Sequence, residues 1–461
     1  MTIADNRTRW LALYVLTLGS LMIVLDATIV NVALPSIRQD LGFTETSLAW
    51  VVNAYLLTYG GFLLLGGRLG DLFGQRRLFL AGIGLFTLAS LACGLSTTQW
   101  MLVSARTVQG LGGAVASAVS LSLMMTLFTE PAERAKAMGV FGFVAAGGGS
   151  LGVLVGVLTL RLLPGERGPS MSGRLDVAGA VTVTAALMLA VYAIVNGNQN
   201  GWTSAETLGL LGGAVALLAT FLVIESRVDS PLVPLRLFKR RNISISNLVG
   251  VLWAASMFAW FFLSALYLQL VLGYSPLEVG LSFLPANLIM GAFSIGISAK
   301  LVMRFGFRKP LATGLLLAAA GLLLFVRAPV DGNFLVDVLP SMILLGFGAG
   351  IAFNPVLLAA MSDVEPSESG LASGLVNTSF MMGGALGLAV LASIAASRSH
   401  SLRLGGAGEL SALTGGYHLA FLVGAAFAAA AAVIGGALLR ETEPMAAHEP
   451  GHGAAAATET S

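Results

Sequence analysis

Residues 68–77 read RLGDLFGQRR, and residues 300–309 read KLVMRFGFRK. The two stretches align without gaps. Arg68 matches Lys300, Leu69 matches Leu301, Phe73 matches Phe305 and Gly74 matches Gly306, while the basic pair Arg76–Arg77 matches Arg308–Lys309. Each is a short basic connection between apolar runs. A glycine and a basic pair held in register point to a duplicated helical unit, the way many membrane proteins are assembled.

On either side of these connections the chain falls into thirteen apolar runs, near 10–34, 48–67, 78–97, 101–128, 138–163, 177–195, 207–224, 245–272, 279–299, 311–327, 335–360, 371–396 and 417–439. A bilayer core about 30 Å thick takes roughly 20 apolar residues in a helix. Helices also satisfy their own backbone groups where no water can. Composition agrees, since the 461 residues are 56% hydrophobic and only 10% charged, against about 25% charged in an average soluble domain. Such hydrophobicity excludes a disordered chain. A single cysteine, Cys93, excludes a disulfide scaffold, and a net charge of +2 gives no footprint for nucleic acid. The first run reaches Pro35 with no small-residue cleavage site, so it reads as a retained helix. The reading is an all-α polytopic membrane protein.

Basic residues in the connections set orientation. With a cytoplasmic N-terminus, Arg7, Arg9, Arg68, Arg76, Arg77, Arg134 and Lys136 lie inside and only Arg38 lies outside in the first third. A single crossing by 138–163 would then put the basic residues of 225–244 and 300–309 outside. An even number of crossings there keeps 20 of the 25 basic residues inside, leaves Arg38, Arg327, Arg398 and Arg403 outside, and buries Arg106. Charge therefore asks for fourteen crossings where the runs supply thirteen. Twenty-six residues are too short for two spans at about 1.5 Å per residue. Longer connections are expected at 164–176, 225–244 and 397–416.

Ionisable groups inside membrane runs are costly, and each is a site candidate. Asp26 lies mid-run in LDATIVNVALP; burial favours a neutral carboxyl, which suits a proton carrier, although a structural acceptor is the plainer role. Arg106, followed by Gln109 and Gly110, lies inside the fourth run. A buried guanidinium must pair, either to control a nearby acid or to anchor packing. Asp71 sits among the glycines and arginines of the 66–77 connection, where it could lock a gate or stay solvated. Gly147, Gly148, Gly149 and Gly152 permit close packing or bending of the fifth run. Trp253 and Trp260 stand in an aromatic run with Phe258, Phe261, Phe262 and Tyr267, facing either a ligand cavity or lipid. Asn31, Asn53, Gln269, Asn287, Asn354 and Asn377 could bond a substrate or another helix. No phosphate-binding loop, HExxH or GxSxG occurs, and the four histidines do not cluster, so catalysis and ATP-driven pumping find no support.

Together these residues resemble the major facilitator superfamily, in its 14-helix drug:proton antiporter branch. GGRLGDLFGQRR at 66–77 is similar to the family's loop between helices 2 and 3, LDATIVNVALP at 25–35 to its helix 1, RTVQGLGGA at 106–114 to helix 4, and GLASGLVNTSFMMGGALG at 370–387 to helix 13. The resemblance implies two pseudo-symmetric helix bundles plus two linker helices, at 177–195 and 207–224, around a central cavity. It implies secondary export of hydrophobic or amphiphilic small molecules, such as drugs and antibiotics, by proton antiport with alternating access. Asp26 and Arg106 would then couple protons, and Gly67, Arg68, Asp71, Gly74, Arg76 and Arg77 would form a conformational latch. Asn31, Gln109, Trp253, Trp260, Gln269, Asn287, Asn354 and Asn377 become candidates for the substrate cavity. No cofactor beyond the proton gradient, no metal and no nucleic acid is implied; the partners are a small-molecule substrate, protons and the lipid bilayer, with a monomer working in the cell (inner) membrane.

Three departures stand out. GGGS replaces the Gly-Pro of the antiporter helix 5, and Phe380–Met381 replace an Arg-Gln pair. SLGVLVGVLTLRLLPGERG runs from a helix 5 beginning straight to a helix 6 end, as though about 25–30 residues were missing. The expected organisation is an N-terminal bundle over 1–163, shortened at 138–163; linker helices and a joint over 164–244; a C-terminal bundle over 245–440; and a disordered tail over 441–461. Export of an endogenous metabolite, uniport, and a degenerate non-transporting protein remain the alternatives.

Overall fold

A computed structural model describes residues 6–44, 46–127, 176–228, 231–362, 364 and 369–441. The run at 138–163, with its glycines and the apparent deletion, lies outside the described residues, as does the tail beyond 441. The other twelve runs are all helical. The elements are α1 (Asn6–Leu41), α2 (Ala49–Phe73), α3 (Gln75–Gly94), α4 (Gln99–Leu127), α5 (Val177–Asn200), α6 (Ala205–Arg227), α7 (Arg241–Leu266), α8 (Pro276–Ala292), α9 (Ser298–Phe305), α10 (Arg308–Phe325), α11 (Leu339–Met361), α12 (Ser369–Leu404) and α13 (Glu409–Leu438). A π-helical turn at Tyr267–Val271 extends α7, and another at Phe293–Ile297 joins α8 to α9. Large apolar side chains face outward: Leu88, Val215 and Leu288 are each 68% exposed. Patches of that kind are costly in water and suit contact with lipid.

Helices outrun the apolar runs because run length measures depth in lipid, whereas a helix carries its hydrogen bonds on through polar residues. Three expectations change accordingly. The long connection at 397–416 shrinks to residues 405–408, where Gly406 has a φ of +86°. The joint at 225–244 shortens, since α6 runs to Arg227 and α7 begins at Arg241. Gly67, Arg68 and Asp71 belong to the end of α2 and not to a loop; Gly74 alone separates α2 from α3.

The duplicated unit is present in three dimensions. Gly74 ends α2 with a φ of +93°, and Gly306, its match in the repeat, ends α9 with a φ of +72°. Left-handed backbone is readily adopted only by glycine, which explains why this position is kept. The match continues into the packing. A β-carbon on Gly82 of α3 would lie 2.8 Å from the Ala116 nitrogen and 3.0 Å from the Gly112 oxygen of α4. On Gly314 of α10 it would lie 2.8 Å from the Gly348 oxygen and 3.0 Å from the Ala352 nitrogen of α11. Gly82 and Gly314 stand in the register of the 68–77 and 300–309 alignment. The α3–α4 and α10–α11 crossings are thus the same backbone-to-backbone contact made twice.

Each half builds outward from this pair. In the first, α2 and α3 pack on α4, with α1 crossing α4; in the second, α8 and α10 pack on α11, while α7, α12 and α13 pack together. The halves meet where α2 lies against α12, with Gly60 under Met381. The inserted hairpin α5–α6 leans on that seam: α5 touches both α2 and α12, and Ser393 Oγ donates to the Ile194 carbonyl at 3.3 Å. Helix ends are satisfied locally. Ser275 and Glu278 form a reciprocal capping box at α8, and Ser204 caps α6. At the end of α13, Arg241 Nε donates to the Leu438 carbonyl at 2.7 Å and Arg308 Nη2 to that of Gly436 at 2.6 Å. Cations there answer both the unpaired carbonyls and the helix dipole.

Candidate functional site

Asp26 of α1 and Arg106 of α4 meet inside the first bundle. An Arg106 Nη1–H donates to Asp26 Oδ2, closing an ion pair. The same nitrogen reaches Gln109 Oε1 at 2.7 Å, and Arg106 Nε donates to the Val51 carbonyl of α2 at 3.0 Å. Gln109 Nε2 donates to Asp26 Oδ1 at 2.7 Å, so both carboxylate oxygens are held by α4. Helical spacing sets this up, because residues three apart share a face and put the guanidinium and the amide on the same acid. Arg106 is 2% exposed and Asp26 16%. The carboxylate is therefore the member nearer to open space.

Two residues without a sequence signal complete the cluster. Tyr55 of α2 lies under the guanidinium, 4.4 Å from carbon to ring centroid, and stacks on Tyr59 at 5.7 Å. Cys93 of α3 points its Sγ at Gln109 Oε1, 3.6 Å away. Asn53 of α2, which the sequence did single out, is fully buried, and both its side-chain polar atoms lack a partner among the described residues. Tyr55 and Cys93 look like ordinary apolar-run residues in the sequence; only the crossing of α2, α3 and α4 brings them to the ion pair.

The second half has no such cluster at the matching place. In the register that pairs Gly112 with Gly348 and Ala116 with Ala352, Arg106 corresponds to Met342 and Gln109 to Leu345, both buried. Leu345 instead borders a small apolar crevice together with Trp253, Met257, Trp260, Leu322 and Ala349. The duplicated scaffold thus holds charge in one half and a greasy recess in the other.

The remaining sequence candidates divide. Gln109 is a second anchor of Asp26. Trp253 packs edge-on against Phe353 and Phe380 at 5.9 and 5.3 Å, and Trp260 against Phe283 at 6.0 Å; both are 2% exposed and serve the core. Phe380, which stands where a polar residue was looked for, joins that aromatic cluster. Asn354 Nδ2 donates to the Ser294 carbonyl at 2.6 Å and fastens α11 to the π-helical turn after α8. Asn31, Gln269, Asn287 and Asn377 are half-buried on α1, the α7 extension, α8 and α12. The eight candidates are spread through both halves, and Trp253 and Trp260 border the same crevice.

Within the latch stretch, Arg68 Nη2 donates to the Pro231 carbonyl at 3.1 Å, linking α2 to the segment between α6 and α7. Gly67 faces Ala118 of α4 at ordinary contact distance. Arg76 is half-buried and Arg77 exposed at the start of α3, while the Asp71 side chain lies outside the description. The second-half counterpart has Met303 where the first has Asp71. A carboxylate approaches the following turn: Glu441 Oε1 sits 3.4 Å from the Arg308 backbone nitrogen, against Gly306.

Comparison with known proteins agrees with this architecture. Residues 16–388 match the profile of the Major Facilitator Superfamily. The chain is 39% identical to the puromycin resistance protein pur8 of Streptomyces alboniger, over 83% of this chain and 81% of that one. It is 37% identical to the cephamycin export protein CmcT of Amycolatopsis lactamdurans, over 96% of each. That alignment runs over 476 positions, more than the 461 residues available here, so the relative has residues without a counterpart in this chain. In three dimensions the chain superimposes on the crystal structure of a bacterial homolog of the human lysosomal transporter Spinster, inward-facing and unoccupied. The TM-score is 0.62 at 16% identity, covering 94% of this chain and 97% of that one.

Proposed function

The chain belongs to the major facilitator superfamily, a multi-pass membrane carrier by its helices, and from that footing we propose that it exports hydrophobic or amphiphilic small molecules in exchange for protons. Relatives named for puromycin resistance, cephamycin export and multidrug resistance support drugs or antibiotics as the substrate class. The observation that carries the mechanism is the Asp26–Arg106–Gln109 cluster.

A buried ion pair is a two-state element. With Asp26 ionised, Arg106 has its counter-charge and α1 is bound to α4. A proton on Asp26 cancels that charge, leaves the guanidinium uncompensated in low dielectric, and favours a rearrangement of α1 against α4. Asp26 is the more accessible partner, so it is the one that exchanges protons. Arg106, held by the Val51 carbonyl and the Tyr55 ring, is the fixed reference. Loose apolar recognition suits a broad substrate range. With the N-terminus cytoplasmic, Arg68, Gly74, Arg76 and Arg77 lie at the inner face, where the α2–α3 turn gates access.

The test is transport in proteoliposomes with and without an imposed pH gradient, using a fluorescent cationic dye as the probe. Wild type should accumulate dye when a gradient is present, and Asp26→Asn should lose the gradient-driven component while inserting normally. Gradient-driven uptake by Asp26→Asn equal to wild type overturns proton coupling through this residue. Dye flux indifferent to the gradient in wild type points to uniport.

A further inference from the structure

A second polar cluster lies at the Arg68 end of the inserted hairpin, and the ion-pair mechanism does not use it. Asp176 caps α5, its Oδ1 accepting from the Gly179 nitrogen at 2.7 Å. Glu225 lies in the last turn of α6, and its Oε2 accepts from the Val233 nitrogen at 3.1 Å. Asp176 is 5% exposed and Glu225 4%. Each carboxyl therefore commits one oxygen to the backbone. Their other oxygens, Asp176 Oδ2 and Glu225 Oε1, are shut away from solvent without any hydrogen-bond partner among the described residues.

Those two orphaned oxygens lie near one another. The charge of Asp176 acts on Glu225. A β-carbon on Gly179 would collide with Asp176 Oδ2 and stand 3.0 Å from Glu225 Oε1, so both oxygens border the same small space. Two ionised carboxylates there would repel, and each would carry a buried lone pair with no donor, a costly state. Among the described residues, the cation that acts on Glu225 is Arg68 of α2, which also holds the Pro231 carbonyl. One proton between the acids repairs all of this. It supplies the missing donor, removes the repulsion and leaves a single negative charge opposite a single guanidinium.

We propose that Asp176 and Glu225 form a second proton-binding site, holding one proton between Asp176 Oδ2 and Glu225 Oε1 at neutral pH and so pinning segment 231–234 to the inserted hairpin. The proton comes from and returns to water. Its loss separates the acids, loosens the Glu225 hold on Val233 and frees the Arg68 bridge, so the hairpin reports pH to the end of α2. This holds whatever the transported substrate is, and it does not depend on Asp26.

Infrared spectroscopy of the full chain in lipid nanodiscs tests the site directly. Wild type at neutral pH should show a protonated-carboxyl stretch that disappears as pH is raised. Glu225→Gln and Asp176→Asn, which keep shape and capping, should each lack that band. A band unchanged in both variants overturns the shared proton. So does its loss from wild type on adding sodium or potassium at constant pH, because a metal cation would then be the occupant. A second readout follows the segment itself, through tryptic cleavage after the exposed Arg227. Cleavage should be several-fold faster in Glu225→Ala than in wild type at neutral pH and should stay slow at all pH values in Glu225→Gln, whose amide donates permanently. Equal rates for the Ala and Gln variants would refute the pin.

Discussion

Replacing Asp26 by asparagine should destabilise the protein, and replacing Arg106 by methionine as well should return much of the loss. Arg106 is 2% exposed and bonded to Asp26, Gln109 and the Val51 carbonyl. The asparagine oxygen can still accept its hydrogen bond, so the damage in the single variant is chiefly electrostatic: a guanidinium buried without a counter-charge. Removing one member of a buried pair costs about 3–5 kcal/mol. Asp26 is 16% exposed, so some screening remains and the lower end, about 3 kcal/mol, is the figure to expect. Arg106→Met on top of Asp26→Asn removes the second charge and installs the residue that the second half carries at the matching place, Met342. The double variant should recover at least half of the lost stability. Neither it nor the single variant should transport dye against a gradient. Equilibrium unfolding in mixed detergent micelles measures all three differences. A double variant as unstable as Asp26→Asn alone would refute the uncompensated-charge argument. A cost below about 1 kcal/mol for Asp26→Asn, the range of a solvated pair, would also refute it.

Two further outcomes rest on the duplicated scaffold. Gly112→Ala and Gly348→Ala should each cost about 1–3 kcal/mol in the same unfolding assay, since a β-carbon at either place lies 2.6 Å from a backbone nitrogen of the facing helix; a neutral result at both would mean the helices part freely. Gly306→Ala should cost more than Gly74→Ala, where left-handed strain alone is about 1–2 kcal/mol, because the new carbon also meets the Glu441 carboxylate. Combining Gly306→Ala with Glu441→Ala should bring the two sites level.

Much of this protein was legible in one dimension. Hydrophobic length announced twelve of the helices the structure describes, and the 68–77 and 300–309 alignment announced the duplication, because a left-handed glycine and a basic pair at helix ends are local requirements. Asp26 and Arg106 stood out for a similar reason: ionisable groups in lipid are costly enough that their presence alone marks a site. Helix ends were less visible. Polar residues at 397–404 continue α12 because hydrogen bonding along a helix does not stop where lipid does.

What only the tertiary structure decided is who meets whom. Nothing in the sequence tells that Gln109 bonds Asp26, that Tyr55 meets Arg106 and Cys93 meets Gln109, or that Trp253 and Trp260 pack on Phe353, Phe380 and Phe283. Those depend on which faces of α1, α2, α3, α4, α7, α8, α11 and α12 cross, and residues 16 to 127 positions apart become neighbours there. The Asp176–Glu225 pair makes the point most sharply. Each acid stands at the edge of an apolar run and carries no signal of its own in the sequence. Only the closure of α5 on α6 takes both out of water and turns two carboxylates, harmless apart, into a pair that needs a proton.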